Sequence, residues 1–416
     1  MVRRIPRKGW DEKIILSALF LQIFMMEWLG VSRRFSFIIT GIILLYAIKC
    51  VFTRKLKPGI WAVLFAYLLY FTIQPLLDGF KFDVFYINIK SLSGTIPVIC
   101  FFYFVGNRLS ILESFLKKLF YIINAYIVIN IPVIIAQING HLELSGRHTE
   151  ENPFECDLIC GLFGYNGTPM LGIFLCFFFI YDHWYYKKYM KRKYKVIYMV
   201  YYLLLLAFFL YLPIINDNKG FYFAFVLVFL LYILSSQKNY KKIVARIKGY
   251  QKIVIAVAAM NIALFAAYNF FEPFQDIVNK SFRIISNGIG STSAGQSSQR
   301  FSIINYFFQS DVNKLLGYGI GYCEWREKNG FGFTRFGLSD LGPFFLLGGI
   351  TFVCLLCVFL FITLCRMNRS RLLSVGEILF FVFLLLYTQP ATNCSIFASA
   401  MLIFLLLGIN NHEKIK

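Results

Sequence analysis

Charge is what this chain has least of. Asp, Glu, Lys and Arg make up 15% of its 416 residues, whereas soluble domains carry about 25%. That shortfall, together with 58% hydrophobic residues and a mean hydropathy of +0.65, excludes a soluble globular protein and points to a polytopic membrane protein. Compact Cys and His spacing of the structural zinc kind is missing too. The ten cysteines are scattered. Cys50, Cys100, Cys176, Cys354, Cys357 and Cys365 fall in or beside apolar runs, where free Cys acts as a small apolar side chain. Cys156 and Cys160 lie near His141 and His148, and a disulfide suits that spacing better than zinc. No cleavable leader is expected, because the first apolar run ends in Glu27-Trp28-Leu29-Gly30 without a small-residue cleavage site.

What the chain has is apolar runs of bilayer length. They recur near 14–31, 35–52, 60–77, 88–106, 119–138, 167–183, 196–215, 220–236, 253–271, 341–364, 376–390 and 395–409, the last two joined by a tight turn from Pro390 to Asn393. These predict an all-α membrane protein of about 12 transmembrane helices forming a single integral domain over 1–416. Placing the Lys and Arg excess inside puts both termini in the cytoplasm. The inner segments then hold nearly all of the formal +21, and the outer ones are close to neutral. The basicity therefore reports topology and anionic headgroups, not nucleic acid. This includes the run of Lys187, Lys188, Lys191, Arg192, Lys193 and Lys195 among tyrosines. Every inner segment is about 20 residues or shorter, which excludes a built-in ATPase or nucleotide-sugar domain.

Two outer loops are long, 139–167 and 272–340. The second holds Arg283, Arg300, Lys314, Arg326, Arg335 and Asp340, on the face where ATP and nucleotide sugars are absent. Within it, Gly288 to Ser298 reads as a flexible stretch, followed by a short helix in which Phe301, Ile304 and Phe308 form an apolar stripe on the membrane surface. Leu315 to Tyr322 is a glycine-punctuated turn. Ser339-Asp340 leads into the tenth run with Pro343 in its first turn, so either residue can cap that helix, and Asp340 can equally serve as a base.

Several arginines at headgroup level suit diphosphate recognition, since guanidinium presents a planar fork matched to phosphate oxygens. Lys219, in Asn216-Asp217-Asn218-Lys219-Gly220, would add a point charge or simply snorkel, and Arg33 and Arg34 read as snorkelling groups. Transfer from a lipid-linked diphosphate needs only a stabilised leaving group and a base for the incoming hydroxyl. Cations on side chains suffice for the first, so no metal or cofactor is expected. The first outer loop, Gly30 to Phe35, carries no acidic pair to hold one. An ion-coupled transporter or flippase would want ionisable groups within the spans, where Glu27 and Lys49 stand out and cannot pair across the midplane. Prolines 75, 97, 132, 213 and 390 are possible helix breaks.

Three stretches carry a family resemblance: Gly161-Leu162-Phe163-Gly164-Tyr165-Asn166-Gly167-Thr168-Pro169; Asn218-Lys219-Gly220; and Arg300 followed by Leu316-Gly317-Tyr318-Gly319-Ile320-Gly321, Ser339-Asp340 and Leu347-Gly348-Gly349-Ile350. In order and spacing they resemble the bacterial O-antigen and capsular polysaccharide polymerases (Wzy-type), relatives of the O-antigen ligases. The resemblance implies a GT-C-like membrane glycosyltransferase of the bacterial cytoplasmic (inner) membrane. Its reaction would be an inverting, metal-independent polymerisation of polyprenyl-diphosphate-linked repeat units. The partners would be a lipid-linked glycan donor and acceptor, membrane lipids and a chain-length regulator. It places Arg300 and Asp340 in the catalytic role, and Arg147, Lys219, Arg283 and Arg335 on the diphosphate. Lys219 stands where the family has Arg, and Asp340 where ligases have His, which favours polymerase over ligase. Ligation to a lipid or protein acceptor and flipping of a lipid-linked oligosaccharide are the alternatives.

Overall fold

The computed structural model describes residues 10–25, 33–53, 95–106, 108–145, 158–164, 167–218, 220–236, 307–309, 313–317, 339–368, 370–390 and 394–412, with 275, 279 and 311 as isolated positions. Among the described residues the chain is helical, with no strand. Its principal helices are α1 (Trp10–Met25), α2 (Arg33–Thr53), α3 (Thr95–Val105), α4 (Leu109–Ile138), α5 (Thr168–Tyr189), α6 (Lys195–Ile215), α7 (Gly220–Ser235), α8 (Leu341–Met367), α9 (Arg371–Tyr387) and α10 (Cys394–His412). Each coincides with an expected apolar run. The expected spans 60–77 and 253–271 lie outside the described residues.

Four described helical stretches are long and apolar enough to cross a membrane by themselves: Leu109–Ile138, Arg192–Ile215, Gly348–Met367 and Ser395–His412. Others fall short for visible reasons. Helix α3 has 11 residues and α1 has 16, and α5 carries Asp182, Lys187 and Lys188. The expected proline breaks at Pro132 and Pro213 are not breaks, since both lie inside continuous helices.

Helix α10 is apolar on all sides, with every residue from Phe397 to Leu407 buried. A helix without a polar stripe belongs at the centre of a bundle, and that is where α10 sits. Around it, neighbouring contacts run α1, α4, α5, α7, α9, α8, α3, α2 and back to α1, while α6 packs outside on α5 and α7. The outer helices keep apolar surface exposed, as at Leu203, Leu204 and Tyr211 of α6 and Tyr121, Ile122 and Ile129 of α4. Such surface on a helix of spanning length is suited to acyl chains.

The polar contacts of the ring separate into two ends. At one end Lys49 pairs with Asp11 at 2.7 Å, Arg108 with Glu12 at 2.9 Å and Lys188 with Glu113 at 2.5 Å. The Arg366 guanidinium lies 4.2 Å from the centroid of the Tyr103 ring, and His412 Nε2 is 2.9 Å from the Met367 carbonyl oxygen. This end carries Lys117, Lys118, Lys187, Lys191, Arg192, Lys193, Lys195 and Arg371 as well. At the other end are the α4–α5 connection, the α6–α7 turn and the start of α8.

Helix α8 is broken eight residues after its start, at Gly349, where φ is +61° and ψ is −169°. A break at that depth leaves amides without intrahelical partners, which an apolar environment does not tolerate. The segment before α8 supplies the partners: Ile350 N donates to the Lys314 carbonyl at 3.0 Å and Thr351 N to the Leu315 carbonyl at 3.3 Å. The inserted turn is held in shape by Asn313 Oδ1, which accepts from Leu315 N at 3.0 Å and Leu316 N at 3.1 Å. Phe307, fully buried, stacks on Phe345 of α8 with centroids 5.2 Å apart. Lys314 Nζ donates to the Phe307 carbonyl at 2.5 Å. Residues 315–317, the described part of the glycine-punctuated turn, and Phe307, near the end of the expected surface helix, therefore dock against α8.

Candidate site at the α9 carboxyl end

Two remote segments meet at the last turn of α9, and a third is tied to one of them through Asn216. The first is Ser339-Asp340. The Asp340 amide donates to the carbonyls of Leu385 at 3.0 Å and Thr388 at 3.1 Å, and its own carbonyl accepts from Phe344 N at 3.0 Å. Asp340 occupies the N-cap position of α8, but its carboxylate makes no bond to the first-turn amides. The capping expectation for that side chain is corrected: the main chain ties Asp340 to α9, and the carboxylate is fully buried. Beside it, Ser339 Oγ is buried without a hydrogen-bond partner.

The second segment is the α6–α7 turn. Asn218 Nδ2 donates to the Thr168 carbonyl at the start of α5, at 2.8 Å, while its Oδ1 accepts from the Tyr387 hydroxyl. Asn216 Nδ2 donates to the Ile159 carbonyl at 3.0 Å. Asp217 takes φ +53°, a left-handed value that closes the turn. The Tyr387 ring lies so close to the Gly220 backbone that a Cβ there would fall 1.9 Å from it. Glycine at 220 is what lets α9 approach.

The third segment is Leu158–Gly164, clasped to α4 by two buried amides. Gln137 Oε1 accepts from Cys160 N at 3.1 Å and Gly161 N at 2.8 Å, and Asn130 Oδ1 accepts from Leu162 N at 2.7 Å. The Cys160 thiol is buried and donates to the Gly164 carbonyl at 2.7 Å. The other cysteine of the expected pair, Cys156, lies outside the described residues.

Of the site residues expected from sequence, Asp340 is described, and Arg147, Lys219, Arg283, Arg300 and Arg335 lie outside the described residues. Even so, both neighbours of Lys219, Asn218 and Gly220, touch Tyr387, one residue from the carbonyl that holds Asp340. Asn218, Gly220 and Asp340, far apart in sequence, thus meet at the same helix end. Tyr387, Asn216, Asn130 and Gln137 were not singled out by sequence. The available signal was an amide or phenol at the end of an otherwise apolar run. Among the described residues no cluster of His, Cys, Asp and Glu could hold a metal ion.

Sequence reasoning also passed over two carboxylates inside helices. Asp182 of α5 is fully buried, and its Oδ1 accepts from Asn124 Nδ2 at 3.0 Å. Glu377 of α9 is fully buried as well.

Tyr387→Phe removes the donor to Asn218 Oδ1 and keeps the ring stacked on Phe383, whose centroid is 5.6 Å away. Leaving a buried acceptor unpaired is expected to lower stability by about 1–3 kcal/mol. Thermal unfolding in detergent would read this as an earlier transition than in wild type.

No family model matches the chain, and none of the curated proteins or solved structures matches it significantly.

Proposed function

We propose that the chain is a membrane glycosyltransferase that joins polyprenyl-diphosphate-linked repeat units into a surface polysaccharide on the extracytoplasmic face. Both termini are cytoplasmic in this reading, and about twelve helices span the membrane in a GT-C-like arrangement. The orientation is supported by the crowding of Lys and Arg at the end of the bundle that holds Lys49, Arg108, Lys188 and Arg366. The reaction is supported by one observation above all. Asp340 and the turn containing Lys219 are tied to the same end of α9, and the outer loop that carries Arg300 inserts its residues 313–317 into α8 nearby.

In this mechanism Arg300, with Lys219, Arg147, Arg283 and Arg335, neutralises the departing diphosphate. Asp340 takes the proton of the incoming hydroxyl. Attack from the face opposite the diphosphate inverts the anomeric centre. Charge neutralisation by side chains makes a metal unnecessary.

Transfer to a different acceptor, as in a ligase, would use the same groups. Flipping of a lipid-linked oligosaccharide is less well supported. A passage for a diphosphate wants buried cations, whereas the buried charged side chains among the described residues are Glu12, Asp182, Asp340 and Glu377, all acidic.

The test is reconstitution of the purified chain with lipid-linked repeat units and no membrane gradient. Glycans longer than one unit, still lipid-linked, are expected. Transfer to a foreign acceptor alone would indicate a ligase, and no new glycosidic bond would sink the enzymatic reading.

A further inference from the structure

Away from that site, where the α8–α9 hairpin turns, a carboxylate is buried with no counter-charge among the described residues. Glu377 lies six residues, roughly 9 Å, into α9 from Arg371. It is fully buried, and its one side-chain partner is Asn368, whose Nδ2 donates to Oε2 at 2.5 Å. Oε1 has no partner, and neither has Asn368 Oδ1, on a residue that is itself buried. Turning the Asn368 amide over would set two oxygens face to face, and would also lose the Nδ2 contact to Ser374 Oγ at 3.3 Å.

The charged groups around this pair do not neutralise it. The Arg366 guanidinium is turned to Tyr103 of α3, Arg371 is exposed, and His412 of α10 is engaged with the Met367 carbonyl. Among the described residues no ion pair reaches Glu377. The remaining neighbour, Ser374, has its hydroxyl directed to the Ser370 carbonyl at 3.3 Å.

The contrast with Asp182 is informative. There the unbonded Oδ2 faces the Tyr198 hydroxyl, a donor that is itself otherwise unused, so acceptor and donor can satisfy each other. At Glu377 both unused atoms are acceptors. Two unpartnered acceptors on a hydrogen-bonded pair of buried residues, one of them a carboxylate, call for a species that brings positive charge.

We propose that Glu377 and Asn368 bind one monovalent positive charge, a proton or an alkali-metal ion, between the cytoplasmic ends of α8 and α9. The site is independent of the transfer reaction and stands or falls separately from it. As a proton site, Glu377 Oε1–H donates to Asn368 Oδ1 and closes a ring with the existing Nδ2 to Oε2 bond. As a metal site, both oxygens are ligands.

Purified full-length protein in detergent is melted in sodium, potassium and choline chloride at equal ionic strength, and its infrared absorption is compared with that of Glu377→Gln. A melting temperature several degrees higher in sodium or potassium than in choline, lost in Glu377→Gln, identifies the metal ion. No cation dependence, together with a neutral carboxylic acid absorption that Glu377→Gln lacks, identifies the proton. Asn368→Ala keeps the carboxylate and removes one oxygen. It is expected to raise the half-effective cation concentration by at least about tenfold, or to shift the acid carbonyl absorption. Wild-type protein with neither cation dependence nor a neutral-acid absorption from this residue overturns the proposal.

Discussion

Asp340→Asn is expected to lower the rate of glycan transfer by about 10²–10⁴-fold, the range that a positioned general base contributes. The substitution preserves size and leaves untouched the main-chain bonds from Asp340 N to Leu385 and Thr388. The helix geometry at the start of α8 should therefore survive. A purely structural role predicts something different. A carboxylate acting on the helix dipole contributes about 0.3–1 kcal/mol, up to about 2 when partly buried, so its loss would move the unfolding temperature and leave kcat near wild type. A large fall in kcat with KM and the unfolding temperature near wild type supports the base. Unchanged kcat with a lowered transition leaves Asp340 as a helix-end anion. Arg300→Ala belongs to the same experiment, because removing a group that stabilises the leaving charge costs about 10²–10³-fold. If both variants make polymer of normal length and yield while the protein accumulates, the catalytic assignment is wrong.

Gly349→Ala is expected to be the most damaging single methyl in the described part of the chain. At φ +61° and ψ −169°, a region kept almost wholly by glycine, any side chain is strained by about 1–3 kcal/mol. The added Cβ would also lie 2.2 Å from the Leu315 carbonyl oxygen. That atom is main chain, in the turn that covers the break, so relief requires expelling the turn. Expulsion breaks the Ile350–Lys314 and Thr351–Leu315 bonds and leaves two amides uncovered in an apolar setting. The combined loss is about 3–6 kcal/mol, with the loop that carries Arg300 released from α8. Unfolding temperature and transfer rate should fall together. The matched control is Gly41→Ala in α2, where a Cβ meets nothing within 4 Å and the helix should gain about 0.5–1 kcal/mol. If Gly349→Ala behaves like Gly41→Ala, the inserted turn does not hold the break.

Much of the helical layout was legible from hydropathy alone. Runs such as 196–215 and 220–236 reappear almost residue for residue as α6 and α7, because twenty apolar residues leave the main chain no better way to pair its own amides. The charge distribution was readable for a similar reason. Each Lys or Arg is placed by its own solvation, so Lys188 and Arg366 could be assigned to one end without knowing their neighbours.

Other features were not readable. The break in α8 carries no proline, and Gly348-Gly349 looks like ordinary small-residue packing until the partner turn is seen. Asp182 and Glu377 looked like residues at the ends of apolar runs, because run boundaries by composition fall near 183 and 376, while the helices extend to Tyr189 and begin at Arg371. Nor did the sequence show that Cys160 N and Gly161 N would both donate to Gln137 of α4.

By itself, then, the sequence determined that the chain is helical and apolar, where most of its helices lie, and which helix ends share their charge. These follow from short-range requirements: hydrogen bonding within a segment and the hydration of single charged groups. Only the tertiary structure decided that α10 stands at the centre, that residues 313–317 complete a broken α8, and that Asn218, Tyr387 and Asp340 meet at one helix end. Those outcomes depend on buried polar groups finding partners far away in sequence, 169 residues for Tyr387 and Asn218. In an apolar interior such a partner is chosen by three-dimensional proximity, which no local pattern encodes.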